Sequence, residues 1–130
     1  MKALLSLLLL VFFLFSITDG QTVSVKITKG ESKALSLIAN LPEVVNATNY
    51  VKKASKGKRR LRVVLNSDPT KDEPYYYVTV VEWNGIVDHI HFNFYVDPKM
   101  FAIKYSDVMD EGKLKPEKQC RKKLIGAYPK

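Results

Sequence analysis

Between Arg59 and Tyr105, four strand-like runs follow one another with only short turns between them. Arg59–Asn66 sets Arg60, Arg62 and Val64 against Leu61, Val63 and Leu65. Pro74–Trp83 reads PYYYVTVVEW, dense in aromatic and β-branched residues. Val87–Val96 and Met100–Tyr105 complete the series. The breaks are the polar stretch Ser67–Glu73 with Pro69, the turn signal Asn84-Gly85, and Asp97-Pro98-Lys99. Strands that adjoin in sequence and are joined by short turns usually pair antiparallel. The chain is therefore expected to build an antiparallel sheet from its middle.

What precedes this run supplies a cover for the sheet. Gln21–Thr28 alternates Val23, Val25 and Ile27 with polar residues and reads as one more strand. From Glu31-Ser32 onward, Leu35, Leu37, Ile38, Leu41, Val44, Val45 and Val51 recur mostly at three- and four-residue steps. That is the apolar stripe of an amphipathic helix. Pro42 interrupts it, and proline suits a first turn but not a helix interior. The expectation is a short helical turn before Pro42, then a main helix over 42–54 ended by Ser55-Lys56-Gly57, with Gly57 at the C-cap. The order is strand, helix, four strands. It predicts an α+β fold: one main helix packed on a curved four- to five-stranded antiparallel sheet, a cystatin-like plan. The basic tail 111–130 has no clear period, and Leu114–Lys123 is expected to form a short helix.

Residues 1–20 stand apart. MKALLSLLLLVFFLFSITDG has one lysine, an apolar run from Ala3 to Ile17, and small residues at its exit. This is the pattern of a secretory signal peptide, with cleavage expected after Gly20. The alternative is a retained anchor, but the run is short against the ~20 residues of a membrane span. No stable membrane insertion is expected after cleavage. With no cysteine near the exit, a lipoprotein anchor is not expected either. The remaining 110 residues suffice for one domain with one modest core, 21–110, followed by the tail. Cys120 is the only cysteine, so no internal disulfide can staple the domain. It is either buried or available to a second chain.

Charge is unevenly placed. Residues 21–62 carry +8, residues 63–110 carry −5 and residues 111–130 carry +5. The densest stretch is Lys52–Arg62, KKASKGKRRLR. Behind a signal peptide the anions in view are surface glycans, lipid headgroups or acidic proteins rather than nucleic acid. The bland reading is a solvated charged surface.

Side-chain facing follows from alternation. In Asp88–Val96, the set Ile90, Phe92, Phe94 and Val96 is uniformly apolar and should meet the helix, leaving His89, His91, Asn93 and Tyr95 outward. Leu61, Val63 and Leu65 should face in, as should Phe101, Ile103 and Tyr105. For 74–83 the parity depends on the hairpin. A strict two-residue Asn-Gly turn puts Tyr75, Tyr77, Thr79, Val81 and Trp83 on the core face, whereas a longer loop through Ile86 and Val87 puts Tyr76, Val78 and Val80 there. The longer loop is favoured because Val78 and Val80 suit a core better than Thr79. The outward face then gathers Arg60, Arg62, Tyr77, Thr79, His89, His91, Asn93, Tyr95 and Lys104.

YYYVTVVEWNG…HIHFNFYVDPKMFAIKYSD resembles the strand pairs of the PepSY and cystatin-like superfamily, which run Y-x-V-x-V, a glycine turn, then a strand ending V-D-P/A. It is also similar to small secreted proteins of Bacteroidetes type. The resemblance covers about 40–107 and implies binding or peptidase-regulating roles. The chain lacks the Q-x-V-x-G loop of inhibitory cystatins, having Val80–Gly85 (VVEWNG) instead. That weighs against cysteine-protease inhibition.

Catalytic signatures are sparse. His89 and His91 share a face on a regular strand, but zinc needs at least three protein ligands. Asp88 and Asp97 lie at strand ends, and Glu82 would approach only in the less favoured register. No nucleophile elbow accompanies the serines, and one cysteine with two histidines is a weak basis for a thiol enzyme. Asn46-Ala47-Thr48 fits the N-glycosylation pattern but falls within the expected helix. The expectation is a secreted or periplasmic, non-catalytic binding module without metal or cofactor. Its partner is a protein or an anionic glycan or envelope component, met through Lys58, Arg59, Arg60, Arg62, Tyr77, Trp83, His89, His91, Tyr95 and Lys104. The rival is a peptidase-regulating module in which the hairpin Trp83–Val87 enters a cleft with Trp83 as anchor.

Overall fold

The computed structural model describes residues 25–107, 109 and 112–129. The signal peptide expected over 1–20, and residues 21–24 of the strand expected over 21–28, lie outside them. The described residues form three helices and five strands: α1 Lys29–Ala39, α2 Pro42–Ala54, β1 Leu61–Ser67, β2 Tyr76–Trp83, β3 Asp88–Val96, β4 Ile103–Ser106, β5 Leu114–Pro116 and α3 Glu117–Gly126. The sheet is open and antiparallel, ordered β1-β2-β3-β4-β5. The α+β expectation holds at that level. No helix among the described residues is long and apolar enough to cross a membrane.

Three departures from expectation stand out, the first two sharing one local cause. Val25–Thr28 is irregular rather than a strand, and Val25 and Ile27 are exposed. Thr28 is the N-cap of α1: its hydroxyl accepts from the Glu31 amide, and Glu31 accepts from the Thr28 amide. This capping box fixes a helix start where the alternation suggested a strand end. It also makes α1 a full eleven-residue helix instead of the short turn expected before Pro42. The fifth strand comes from Leu114–Pro116, and the helix expected over 114–123 starts only at Glu117.

The core lies between the helices and one sheet face. Ala34 and Ile38 of α1, Leu41, and Val44 and Ala47 of α2 meet Val78 and Val80 of β2 and Phe92, Phe94 and Val96 of β3, with Leu124 of α3 closing one side. Leu61, Val63, Leu65, Phe101, Ile103 and Tyr105 pack around this centre as expected. Gly30 allows α1 to approach the sheet, since a Cβ there would sit 2.2 Å from the Tyr76 hydroxyl. Cys120 is half-buried against the same core and is in no disulfide. Asn46 donates to the carbonyls of Ile125 and Tyr128 at 3.3 and 2.8 Å, tying α2 to the end of α3. Glycosylation of its amide nitrogen would require it to leave both.

The hairpin takes the longer loop. Asn84–Val87 connects the strands, and Asn84 Oδ1 accepts from the amides of Ile86 and Val87 at 2.9 Å each. Val78 and Val80 accordingly face the helices. The register, however, shifts between Val80 and Val81: Val80 pairs with Phe92, but Val81 pairs with Ile90. His91 is the extra residue of a β-bulge, which breaks the alternation of β3. From Phe92 to Val96 the expected facing holds. Beyond the bulge it inverts, so Ile90 shares Val81's outward face and His89 shares the face of Glu82. Ile90 is 58% exposed rather than core.

Candidate functional site

A concavity forms where α2 hands the chain to β1. The Gly57 amide donates to Lys52 O at 2.7 Å and the Lys56 amide to Lys53 O at 3.1 Å. This is a Schellman turn, with Lys56 at φ 51° and Gly57 at φ 80°. The left-handed C′ residue is thus Lys56, one position before the glycine expected to fill the C-cap. Both residues turn the chain back toward the sheet. The Arg59 amide is then held by Ser55 Oγ at 2.9 Å, and β1 starts opposite Glu82. The result is a cleft of about 740 Å³ lined by Gly57, Lys58, Arg60, Leu61, Arg62 and Trp83.

Its chemistry is cationic with one aromatic wall. Lys58 and Arg60 have no ion pair among the described residues, while Arg62 Nη2 donates to Asp88 Oδ1 at 2.6 Å. Trp83 is half exposed. Guanidinium groups offer planar, forked donors to carboxylate, sulfate or phosphate, and an indole face adds apolar contact. Such a cleft can hold an anion.

Arg59 takes no part in the cleft wall. Its Nη1 lies 2.7 Å from Glu82 Oε1, an ion-pair contact without the directionality of a hydrogen bond. Glu82 is buried, and its other oxygen accepts from His91 Nε2 at 2.8 Å. His91 Nδ1 bonds the Tyr128 hydroxyl. A carboxylate only accepts, so Nε2 carries the proton facing Glu82, and Nδ1 is free to accept from Tyr128. His91 therefore points into the molecule instead of outward as expected. The bulge is the cause, and it also brings Glu82 to His91 within the register that was expected to separate them. His89 Nε2 bonds the Asn84 side chain at 2.8 Å. The two histidines do not converge, and the described residues hold no group of three His, Cys, Asp or Glu side chains arranged for a metal. Replacing His91 with alanine should leave Glu82 with Arg59 alone and Tyr128 unpartnered. The expected loss is about 2 kcal/mol of unfolding free energy in urea titrations. A loss below about 0.5 kcal/mol would mean that water replaces the imidazole at no disadvantage.

The other predicted residues form a separate cluster. Tyr77 and Tyr95 stack with centroids 4.9 Å apart at 18°, and Tyr75 meets Tyr95 edge-on. Tyr77 donates to Asn93 Oδ1 at 2.8 Å, and Lys104 Nζ donates to the Tyr75 hydroxyl at 2.8 Å. Burial raises the hydroxyl pKa of both Tyr77 and Tyr95. Tyr77 and Trp83 are at opposite ends of β2, roughly 20 Å apart at ~3.3 Å per residue. The structure thus gathers Lys58, Arg60, Arg62 and Trp83 in one place, and Tyr77, Tyr95 and Lys104 in another.

One polar cluster was missed altogether. Glu43 on the first turn of α2 and Glu117 on that of α3 are both buried. Arg121 clamps Glu117 through Nε and Nη2 at 2.7 and 3.0 Å and stands 3.6 Å from Glu43. Neither Glu43 oxygen has a well-formed hydrogen bond. Burial first, and then the neighbouring Glu117 carboxyl, push Glu43 up to about 7. Burial works against ionisation of Glu117 too, but the bonds from Arg121 and the neighbouring Glu43 carboxyl hold it below the ordinary carboxylate value. A sequence signal existed: each acid directly follows a proline at a helix start, Pro42-Glu43 and Pro116-Glu117. No protein-family model matches this chain, and no curated protein or solved structure shows significant similarity to it.

Proposed function

We propose that the chain is a secreted, non-catalytic binding module for an anionic partner, of cystatin-like or PepSY-like plan, acting through the basic stretch Lys52–Arg62. The observation that carries this reading is the cleft in which Lys58 and Arg60, both without ion pairs among the described residues, stand beside Arg62 and Trp83. Cations left unpaired around a concavity concentrate anions there, and the attraction weakens with salt. The tyrosine cluster contributes less, because its hydroxyls and Lys104 already bond one another. Trp83 lines the cationic cleft, which favours an anion-binding role over that of a protease wedge.

The test is retention of the leaderless protein on a sulfated-dextran column. Retention that falls steeply with salt is expected, and the double variant Lys58→Glu, Arg60→Glu should bind roughly 10- to 100-fold more weakly. Flow-through of the parent protein, or unchanged elution of the double variant, would sink the reading.

A further inference from the structure

The β2–β3 hairpin carries an exposed apolar tip beside the basic cleft. Trp83 is 48% exposed, Ile86 81%, Val87 49% and Ile90 58%. Four large apolar side chains thus face solvent within eight residues, and the His91 bulge is what turns Ile90 to the outside. β1 begins opposite Glu82, so Lys56, Lys58 and Arg60 lie at this same end of the sheet. None of these three cations has an ion pair among the described residues. Asp88, the acid closest to the tip, is neutralised by Arg62 at 2.6 Å.

Three of the four backbone amides of the loop Asn84–Val87 are bonded within it. Asn84 Oδ1 takes the amides of Ile86 and Val87, the Asn84 amide donates to Val87 O at 3.3 Å, and the Asn84 side chain bonds His89. A loop with most of its backbone donors already bonded loses less on leaving water than one with open amides, which would resist transfer into an apolar phase. An apolar point with an aromatic at its edge and a collar of unpaired cations matches the layering of an anionic bilayer surface: acyl boundary, interface, headgroups. A soluble polyanion has use for the collar but none for the point.

We infer that the anionic partner is a lipid surface, on which Ile86 and Val87 enter the acyl boundary, Trp83 sits at the interface, and Lys56, Lys58 and Arg60 meet the headgroups. This rests on the anionic-partner reading above. Binding is peripheral and reversible, since one hairpin tip reaches only the outer ~5–10 Å of a leaflet.

Trp83 is the only tryptophan in the chain, so its fluorescence reports on the tip alone. The leaderless protein is titrated with vesicles of phosphatidylcholine, and with vesicles of phosphatidylcholine mixed with phosphatidylserine. The mixed vesicles are expected to bind at least about ten-fold more tightly, with a blue shift of Trp83 and quenching by brominated acyl chains. The double variant Ile86→Ser, Val87→Ser should lose about ten-fold or more on vesicles while its retention on sulfated dextran is unchanged, which also shows that it is folded. Retention on sulfated dextran without vesicle binding overturns the lipid assignment and leaves the anionic reading standing. Failure on both removes both. Vesicle binding with no blue shift and no effect of the serine variant overturns the insertion.

Discussion

At about pH 8 the Glu43→Gln variant is expected to be more stable than the parent protein by on the order of 2 kcal/mol, while at about pH 5 the two should differ little. Glu43 is fully buried on the first turn of α2. Burial, followed by the nearby Glu117, raises its carboxyl from 4.5 to about 7. Between those values the folded protein keeps a proton that the unfolded chain releases. The stability due to protonated Glu43 is therefore complete below about 4.5 and is lost as the pH rises through about 7. Glutamine is neutral at every pH and keeps the shape, so it removes the penalty on the alkaline side. Glu117 works in the opposite sense. Its folded value is lowered, so its contribution is present above the ordinary carboxylate value and lost as the pH falls through the folded one. The parent should thus be most stable in a mildly acidic window. Urea titrations of both proteins across this range decide the matter. If the variant retains the parent's decline toward alkaline pH, Glu43 is not its source.

Phe94→Ala should be the most damaging single truncation, at about 3–5 kcal/mol. Phe94 is fully buried in the C-terminal half of β3, opposite Val78, and packs against Phe92 and Tyr105 at centroid distances of 5.8 and 5.7 Å. No disulfide among the described residues restrains the unfolded chain, so the core must supply the stability. A loss of this size is a large share of the ~5–15 kcal/mol that holds a typical domain together. The adjacent truncation Tyr95→Ala acts on the outward face, where Tyr95 is only half-buried, and should cost clearly less. Thermal and urea unfolding of the two variants provide the comparison. Equal losses would mean that the two faces of β3 are not different environments.

The core was legible because it rests on strict local rules. A period of two marks Phe92, Phe94 and Val96, and a period near 3.6 marks Ile38, Leu41, Val44 and Val51. The choice of the longer hairpin loop followed from the same logic, since only one parity puts Val78 and Val80 inside. The bulge at His91 was not legible. No residue type announces it, and it arises from fitting an Asn84–Val87 loop onto strands whose inner register is set by the core. That one irregularity moved Ile90 out and His91 in, and it joined Glu82 to His91. The first helix was under-read because Pro42 suggested a weak preceding segment, while Thr28 and Glu31 supplied a complete start signal. The basic cleft was visible as a charge run. Its concavity was not, because the Schellman turn at Lys56 and Gly57 sets the direction in which Lys58 and Arg60 leave the helix.

The bulge divides β3 into two stretches under different constraints. From Phe92 to Val96, each alternate side chain answers to the helices, and a change there is felt by the whole interior. From Asp88 to Ile90 no side chain belongs to that core. One inserted residue thus lets the far end of the hairpin drift in sequence without disturbing the fold that holds it up. The molecule has a fixed body and a replaceable point, joined at a single histidine.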